Sequence, residues 1–356
     1  MPSDDALSER SACIVGLAGL VLQPDEARFL ETHQPCGIII FSRNFSNNDQ
    51  LRRLIDDARR ATACNDWLVL VDQEGGRVQR LQGPDWPDFP PASAFGAFYD
   101  ANVQTGVETV RLCSHWLATL LREVGVNTNC APCLDVPVPG ADAIIGDRAY
   151  GDCAATVIAV GGGVAQGLMA GGVVPVIKHV PGHGRAGLDS HLALPIVDVD
   201  RDVLAESDFA PFAALRDLPA AMSAHVTFAA IDNAAPASVS KRVTHEIIRR
   251  EIGFDGLLMS DDVSMKALHG SIGERSQAVL AAGSDVVLHC NGVLSEMLEV
   301  ADVTPKLSGD ALSRYRRCLE VVRRVPEPAD AGAAIAALRQ VREAEAARLN
   351  AAAALG

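Results

Sequence analysis

The sequence predicts a closed (β/α)8 barrel. Eight short apolar runs alternate with stretches of helical periodicity along the chain. The runs are unbroken rather than alternating in polarity, as expected of strands buried on both faces of a parallel sheet. Several end in polar or charged residues: Asp72, Lys178-His179, Ser223 with His225, and Asp261-Asp262. In a barrel those ends converge on the one face where active sites form. A doubly wound open sheet is the alternative, although such sheets more often stop at about five or six strands.

The elements follow in order. Cys13–Leu17 reads as the first strand, and Pro24-Asp25-Glu26 then opens a helix with proline in its first turn. Residues 37–41 (GIIIF) form the second strand, and Asn47/Asn48 cap a helix running to Arg60. Residues 67–72 (WLVLVD) are the third strand. A proline-rich loop over 83–91 precedes a long amphipathic helix over 105–124. The fourth strand is expected over 126–134 and its helix over 154–170. The fifth strand is 173–178, with a helix at 208–216, and the sixth is 220–225, with a helix at 244–251. The seventh strand is 256–261, followed by a helix at 274–282, and the eighth is 285–290, followed by a helix from Leu294. Residues 1–302 are thus expected to form the catalytic barrel. Residues 303–356, rich in Ala, Arg and Glu, are expected to be a helical extension packing on it or trailing from it.

Composition narrows the function. The 356 residues are 48% hydrophobic and 21% charged, as in a globular protein. A formal net charge of -14 argues against a nucleic-acid partner, which requires an excess of Lys and Arg. The acidic start MPSDDALSER is unlike a secretory signal, and no apolar run approaches the roughly 20 residues that span a bilayer. Nine cysteines, an odd and scattered set, fit reduced thiols in a cytoplasmic protein. Cys130 and Cys133 have CxxC spacing but no second pair, so packing is the expected role.

The densest chemistry lies between Lys178 and His191, which carries one Lys, three His and one Asp beside three Gly. Gly182 and Gly184 let this loop turn sharply. Asp261, at the end of the seventh strand, is placed to serve as nucleophile, metal ligand or cap. Retaining glycoside hydrolysis needs one carboxylate to form a glycosyl-enzyme and a second group to protonate the leaving oxygen. A histidine suits the second task because its ordinary pKa lies near working pH. Asp189 and His191, two residues apart in a loop, have the spacing for a carboxylate that fixes a ring tautomer.

Taken together, Lys178-His-Val-Pro-Gly-His-Gly184, Asp189-Ser-His191 and Ser260-Asp-Asp-Val-Ser-Met265 resemble the glycoside hydrolase family 3 β-N-acetylglucosaminidases. More narrowly, they are similar to the bacterial peptidoglycan-recycling enzymes of the NagZ type. Asp72-Gln-Glu-Gly-Gly-Arg-Val-Gln-Arg80-Leu, Gly146-Asp-Arg148-Ala-Tyr-Gly and Met222-Ser-Ala-His225 add to the match, which runs from about Ile14 to His289. Val180 stands where Phe is common and Met259 where Phe or Ile is common; neither touches the catalytic set. The resemblance implies a single-domain barrel that removes β-linked N-acetylglucosamine with retention. It makes Asp261 the nucleophile and His191 the acid/base, assisted by Asp189. Asp72, Arg80, Arg148, Lys178 and His179 match positions that bind sugar hydroxyls and the N-acetyl group. Asp262, His183 and His225 are expected to shape the surroundings.

The expected substrate is a small-molecule muropeptide or aminosugar, with no cofactor, metal, nucleic acid or membrane. Phosphorolysis is the nearest alternative, since a neutral imidazole tolerates incoming phosphate better than a carboxylate does. Another family 3 β-glycosidase activity is a further one. A metal-dependent hydrolase built on His179, His183, His191 and Asp261 is remote, because their spacing fits no dedicated metal motif. A sugar-binding barrel without turnover is remote as well.

Overall fold

A computed structural model describes residues 7–64, 66–190 and 194–355. Eight parallel strands close a barrel: β1 (Ser11–Gly16), β2 (Pro35–Ile40), β3 (Leu68–Val71), β4 (Thr128–Asn129), β5 (Val174–Val180), β6 (Ala220–Ser223), β7 (Leu257–Asp262) and β8 (Val286–His289). Each strand pairs with the next in sequence, and β8 pairs with β1. Closure leaves the barrel sheet itself without an edge strand.

The apolar runs are continuous because each strand buries both faces. Ile14, Ile39, Leu68, Leu70, Val174, Val176, Met222, Leu257, Met259, Val286 and Leu288 belong to the cluster that fills the barrel. Their neighbours Val15, Ile38, Ile40, Val69, Val71, Ile177, Leu258 and Val287 belong to the cluster under the helices. At the N-terminal end of the strands, the helix Gly309–Arg323 plugs the barrel with Tyr315, Cys318, Leu319 and Val322. The Tyr315 hydroxyl donates to the Cys36 carbonyl at 2.8 Å. Lys306 bridges to Ser11 in β1, so the chain beyond residue 302 is tied into the base of the barrel. The last helix, Ala331–Leu355, packs against helices Ala92–Ala101 and Val103–Glu123. Among the described residues no helix is long and apolar enough to cross a membrane.

Three local differences from the sequence expectation have physical causes. Strand β4 is only two residues long, because Pro132 has no N–H to offer a ladder. The chain nevertheless stays beside β5, through Val176 N to Ala131 O at 3.1 Å and Leu134 N to Lys178 O at 2.7 Å. The helix expected over 208–216 is split into Arg201–Glu206 and Ala210–Ala214, and the Asp208 side chain between them accepts from Arg185 Nε at 2.7 Å. The helix Ala92–Ala101, which follows the proline-rich loop, is not evident from the sequence.

That unexpected helix supports the catalytic face. Gly96 lies against the Tyr150 backbone, where an added Cβ would collide with the carbonyl oxygen. Gly96→Ala is expected to lower folding stability by about 1–3 kcal/mol, measured by chemical denaturation, because backbone on both sides leaves nothing free to move.

Candidate active site

Two buried carboxylates organise the C-terminal end of the barrel. Asp72 follows β3, and Glu74 lies two residues on in the short extended segment Gln73–Gly75, so the two side chains face the same way. Lys178, its side chain 2% exposed, lies between them: Nζ is 2.8 Å from Asp72 Oδ1 and 2.6 Å from Glu74 Oε1. Arg80 Nη2 reaches Asp72 Oδ2 at 3.3 Å. Arg148 grips Glu74 with both prongs, Nε to Oε2 and Nη2 to Oε1, each at 2.9 Å. Burial opposes ionisation of Asp72, but Lys178 and then Arg80 outweigh it and hold the carboxyl well below its usual range. At Glu74 burial is likewise overcome, first by Arg148 and then by Lys178. The network is therefore fully ionised at neutral pH, with donors fixed in direction.

The second carboxylate centre is Asp135, which is fully buried. Its Oδ2 lies 2.7 Å from His179 Nδ1, and its Oδ1 accepts the backbone N–H of His179 at 3.2 Å and of His183 at 2.6 Å. Burial acts against the charge, yet His179, foremost among the groups that oppose it, leads in keeping Asp135 ionised. Strict alternation along β5 would send Lys178 and His179 to opposite faces. A register shift between Lys178 and Val180 breaks the alternation, and both side chains line the same cleft.

Asp261 reaches that cleft from β7, where Leu257 and Met259 set the inward-facing positions. One of its oxygens accepts the Asp262 N–H at 2.8 Å. Asp262 accepts from Ser264 N at 3.0 Å, Ser264 Oγ at 2.5 Å and Cys290 N at 3.1 Å, which locks the strand end. His225 bridges Ser238 Oγ at 2.6 Å and the Asp262 carbonyl at 3.0 Å. The cleft has a volume of about 420 Å³, enough for a small ligand. Asp72, Arg80, Arg148, Lys178, His179 and Asp261 supply much of its polar side, and Phe41, Ile144, Met222 and Met265 part of its apolar side.

Of the eight residues given catalytic or sugar-binding roles from sequence, six thus share one cleft. Arg80 and Arg148 are members of the partly buried ion network rather than surface pairs. Asp189 is half-buried in the loop after β5, and His191 lies outside the described residues. Glu74, Asp135 and Arg77 were not assigned from sequence. The signal for Glu74 was its i, i+2 spacing from Asp72, and for Asp135 a lone charge in an apolar run. Arg77 crosslinks two loops: Nε meets Asp147 Oδ1 at 2.8 Å, and Nη2 donates to the carbonyls of Ala143 at 2.8 Å and Ile144 at 2.6 Å.

Sequence and structure comparisons place this cleft in a family. The glycosyl hydrolase family 3 N-terminal domain matches residues 15–322. The chain belongs to glycoside hydrolase family 3. The enzyme is 38% identical over 285 residues to a β-hexosaminidase of Bordetella parapertussis, covering 78% of this chain and 79% of that one. It is 35% identical over 342 residues to a β-hexosaminidase of Chromobacterium violaceum, covering 93% and 94%. Its fold superposes on NagZ from Neisseria gonorrhoeae in complex with N-trifluoroacetyl-D-glucosamine with a TM-score of 0.83, at 31% identity, over 93% of this chain and 98% of that one.

The enzyme also brings Cys133, Asp135 and His179 together, with donor atoms within 4.8 Å of one another. This differs from the His179, His183, His191 and Asp261 set considered from sequence. Here the Cys133 thiol donates to Asp135 Oδ2 at 3.2 Å, and burial, with Asp135 next, raises its pKa well above the usual value. A protonated thiol and a carboxylate already shared with an imidazole are a hydrogen-bonded triad rather than a preorganised ligand set.

Two outcomes follow from this geometry. Arg77→Ala is expected to raise KM by about tenfold with a smaller change in kcat, read from steady-state kinetics, because it frees the wall that carries Ile144 and Arg148. His183 is driven from 6.5 to about 4, first by burial and then by His179, against the pull of Asp135. Its unfolded form takes up a proton in that window while the folded form does not. Stability is therefore full above pH 6.5 and falls as the pH drops towards 4, and His183→Gln flattens that decline in denaturation curves taken across the window.

Proposed function

We propose that the enzyme is a retaining exo-β-N-acetylglucosaminidase. It removes the non-reducing N-acetylglucosamine from GlcNAc-1,6-anhydroMurNAc, with or without attached peptide, in cytoplasmic peptidoglycan recycling. The observation that carries this reading is the convergence of Asp261 with the Asp72–Lys178–Glu74–Arg148 network in one cleft. Its support is the β-hexosaminidase activity named for the relatives and the acylated glucosamine bound by the Neisseria neighbour. Free, mostly buried cysteines agree with a reducing compartment.

In this mechanism Asp72, Arg80, Arg148, Lys178 and His179 hold the sugar through its hydroxyls and N-acetyl group. Fixed ionic donors and acceptors penalise a ligand that leaves any of them unpaired. Asp261 attacks the anomeric carbon and forms a C–O ester as the glycosidic C–O bond breaks. The leaving oxygen takes its proton from His191, whose ring Asp189 orients and polarises. Water then attacks the same carbon and gives its proton to His191, and the ester bond to Asp261 breaks. Two inversions yield net retention. Residues 1–302 carry this chemistry, and 303–356 complete the shell around it.

Asp261→Ala is expected to reduce hydrolysis of an aryl β-N-acetylglucosaminide on the order of 10⁴-fold or more, with the protein still folded. Proton NMR of the first-formed sugar is expected to show the β-anomer. Undiminished activity in the variant overturns the nucleophile assignment, and formation of a sugar 1-phosphate in phosphate buffer replaces hydrolysis by phosphorolysis.

A further inference from the structure

We propose that His183 and Ser190 anchor the segment carrying Asp189 and His191, and are positioning residues for proton transfer. The inference rests on the acid/base assignment made above and deepens it. His183 is held from several directions. Its backbone N–H donates to Asp135 Oδ1 at 2.6 Å, and its ring meets the His179 ring edge-on with centroids 5.5 Å apart. Gly182, at φ +143°, lies close to Asp208, and Gly184 is pressed onto the Val136 carbonyl. The ring is thus locked in the wall of the barrel beside a residue that lines the cleft.

From that position His183 Nε2 lies 3.1 Å from Ser190 Oγ. Both residues are 3% exposed. Nδ1 of the same ring has no hydrogen-bond partner among the described residues, so the bond to Ser190 is the side chain's only one there. A ring kept for packing alone would be served by an apolar side chain, without a buried polar nitrogen. The loop between the two residues is held at its start, where Asp142 N donates to Ala186 O at 2.9 Å and Arg185 Nε to Asp208 Oδ2 at 2.7 Å. It then passes through the exposed Gly187 and Leu188 and is buried again at Ser190. Ser190 is the sequence neighbour of Asp189 and of His191, so the proposed anchor sits next to both proposed proton-handling residues.

Asp135 thereby serves two tasks. Through His179 it orders the sugar-binding side of the cleft, and through His183 and Ser190 it orders the loop that follows. The titratable groups facing His183 are His179, Asp135 and Asp261. Burial and then His179 outweigh the pull of Asp135 and Asp261 and keep its ring neutral above about pH 4, so the anchor keeps one character across the neutral range.

The test compares leaving groups. Acid assistance matters for a poor leaving group such as an alkyl or phenyl β-N-acetylglucosaminide and little for a dinitrophenyl one. Ser190→Ala is expected to lose about 10- to 100-fold more kcat/KM on the phenyl than on the dinitrophenyl glycoside. Ser190→Thr, which keeps the hydroxyl, is expected to recover most of the loss. His183→Gln, which keeps a donor, is expected to lose less than His183→Leu. His191→Ala is measured in parallel and is expected to show the same selective loss. An equal loss on both substrates, or none, in Ser190→Ala overturns the anchor if His191→Ala remains selective. Absence of selectivity in His191→Ala itself overturns the acid assignment instead.

Discussion

The buried ammonium of Lys178 between Asp72 and Glu74 is the constraint on which the rest of the cleft depends. An ammonium removed from water is tolerable only beside compensating charge, and two carboxylates in turn require Arg80 and Arg148. Such a network adds little to stability relative to apolar packing, because desolvation offsets most of the attraction. Its effect is on geometry. Five side chains from β5 and the segments after β3 and β4 have one joint arrangement that satisfies them all, and that arrangement fixes the direction of the donors lining the cleft.

Asp135 imposes a similar constraint in a smaller volume. One carboxylate accepts two backbone N–H groups and meets an imidazole, so the end of β5 is fixed where its ladder becomes irregular. The usual alternation of a strand would separate Lys178 from His179. The irregularity, held by Asp135, lets two consecutive residues line one cleft. A residue outside the cleft lining thus determines where two lining residues can stand.

The barrel was legible in the sequence because burial on both faces leaves a strand no polar positions until it ends. Asp72, Lys178, His179 and Asp261 mark the points where the chain leaves the core, and periodicity locates them to within a residue or two. Glu74 and Asp135 were less visible. Each is a single acidic residue in a Gly-rich or apolar stretch, and its function arises only when β3, β4 and β5 meet in space. The helix Ala92–Ala101 escaped for a related reason: it is short, has glycine at its centre, and owes its existence to contacts with Tyr150 and the final helix. Strand β4 was overestimated because apolar character persists through Pro132 although hydrogen-bonding capacity does not.

The contact between Gly96 and the Tyr150 backbone has a consequence for how the outside of the molecule relates to its chemistry. Tyr150 is two residues from Arg148, and the far side of the helix that bears Gly96 is covered by Ala331–Leu355. Among the described residues the last helix contributes no side chain to the cleft, yet it buttresses the wall from which one guanidinium reaches Glu74. Chain length beyond the barrel therefore acts as thickness behind the binding site, and the outermost layer of the protein helps set how stiffly an interior arginine is held.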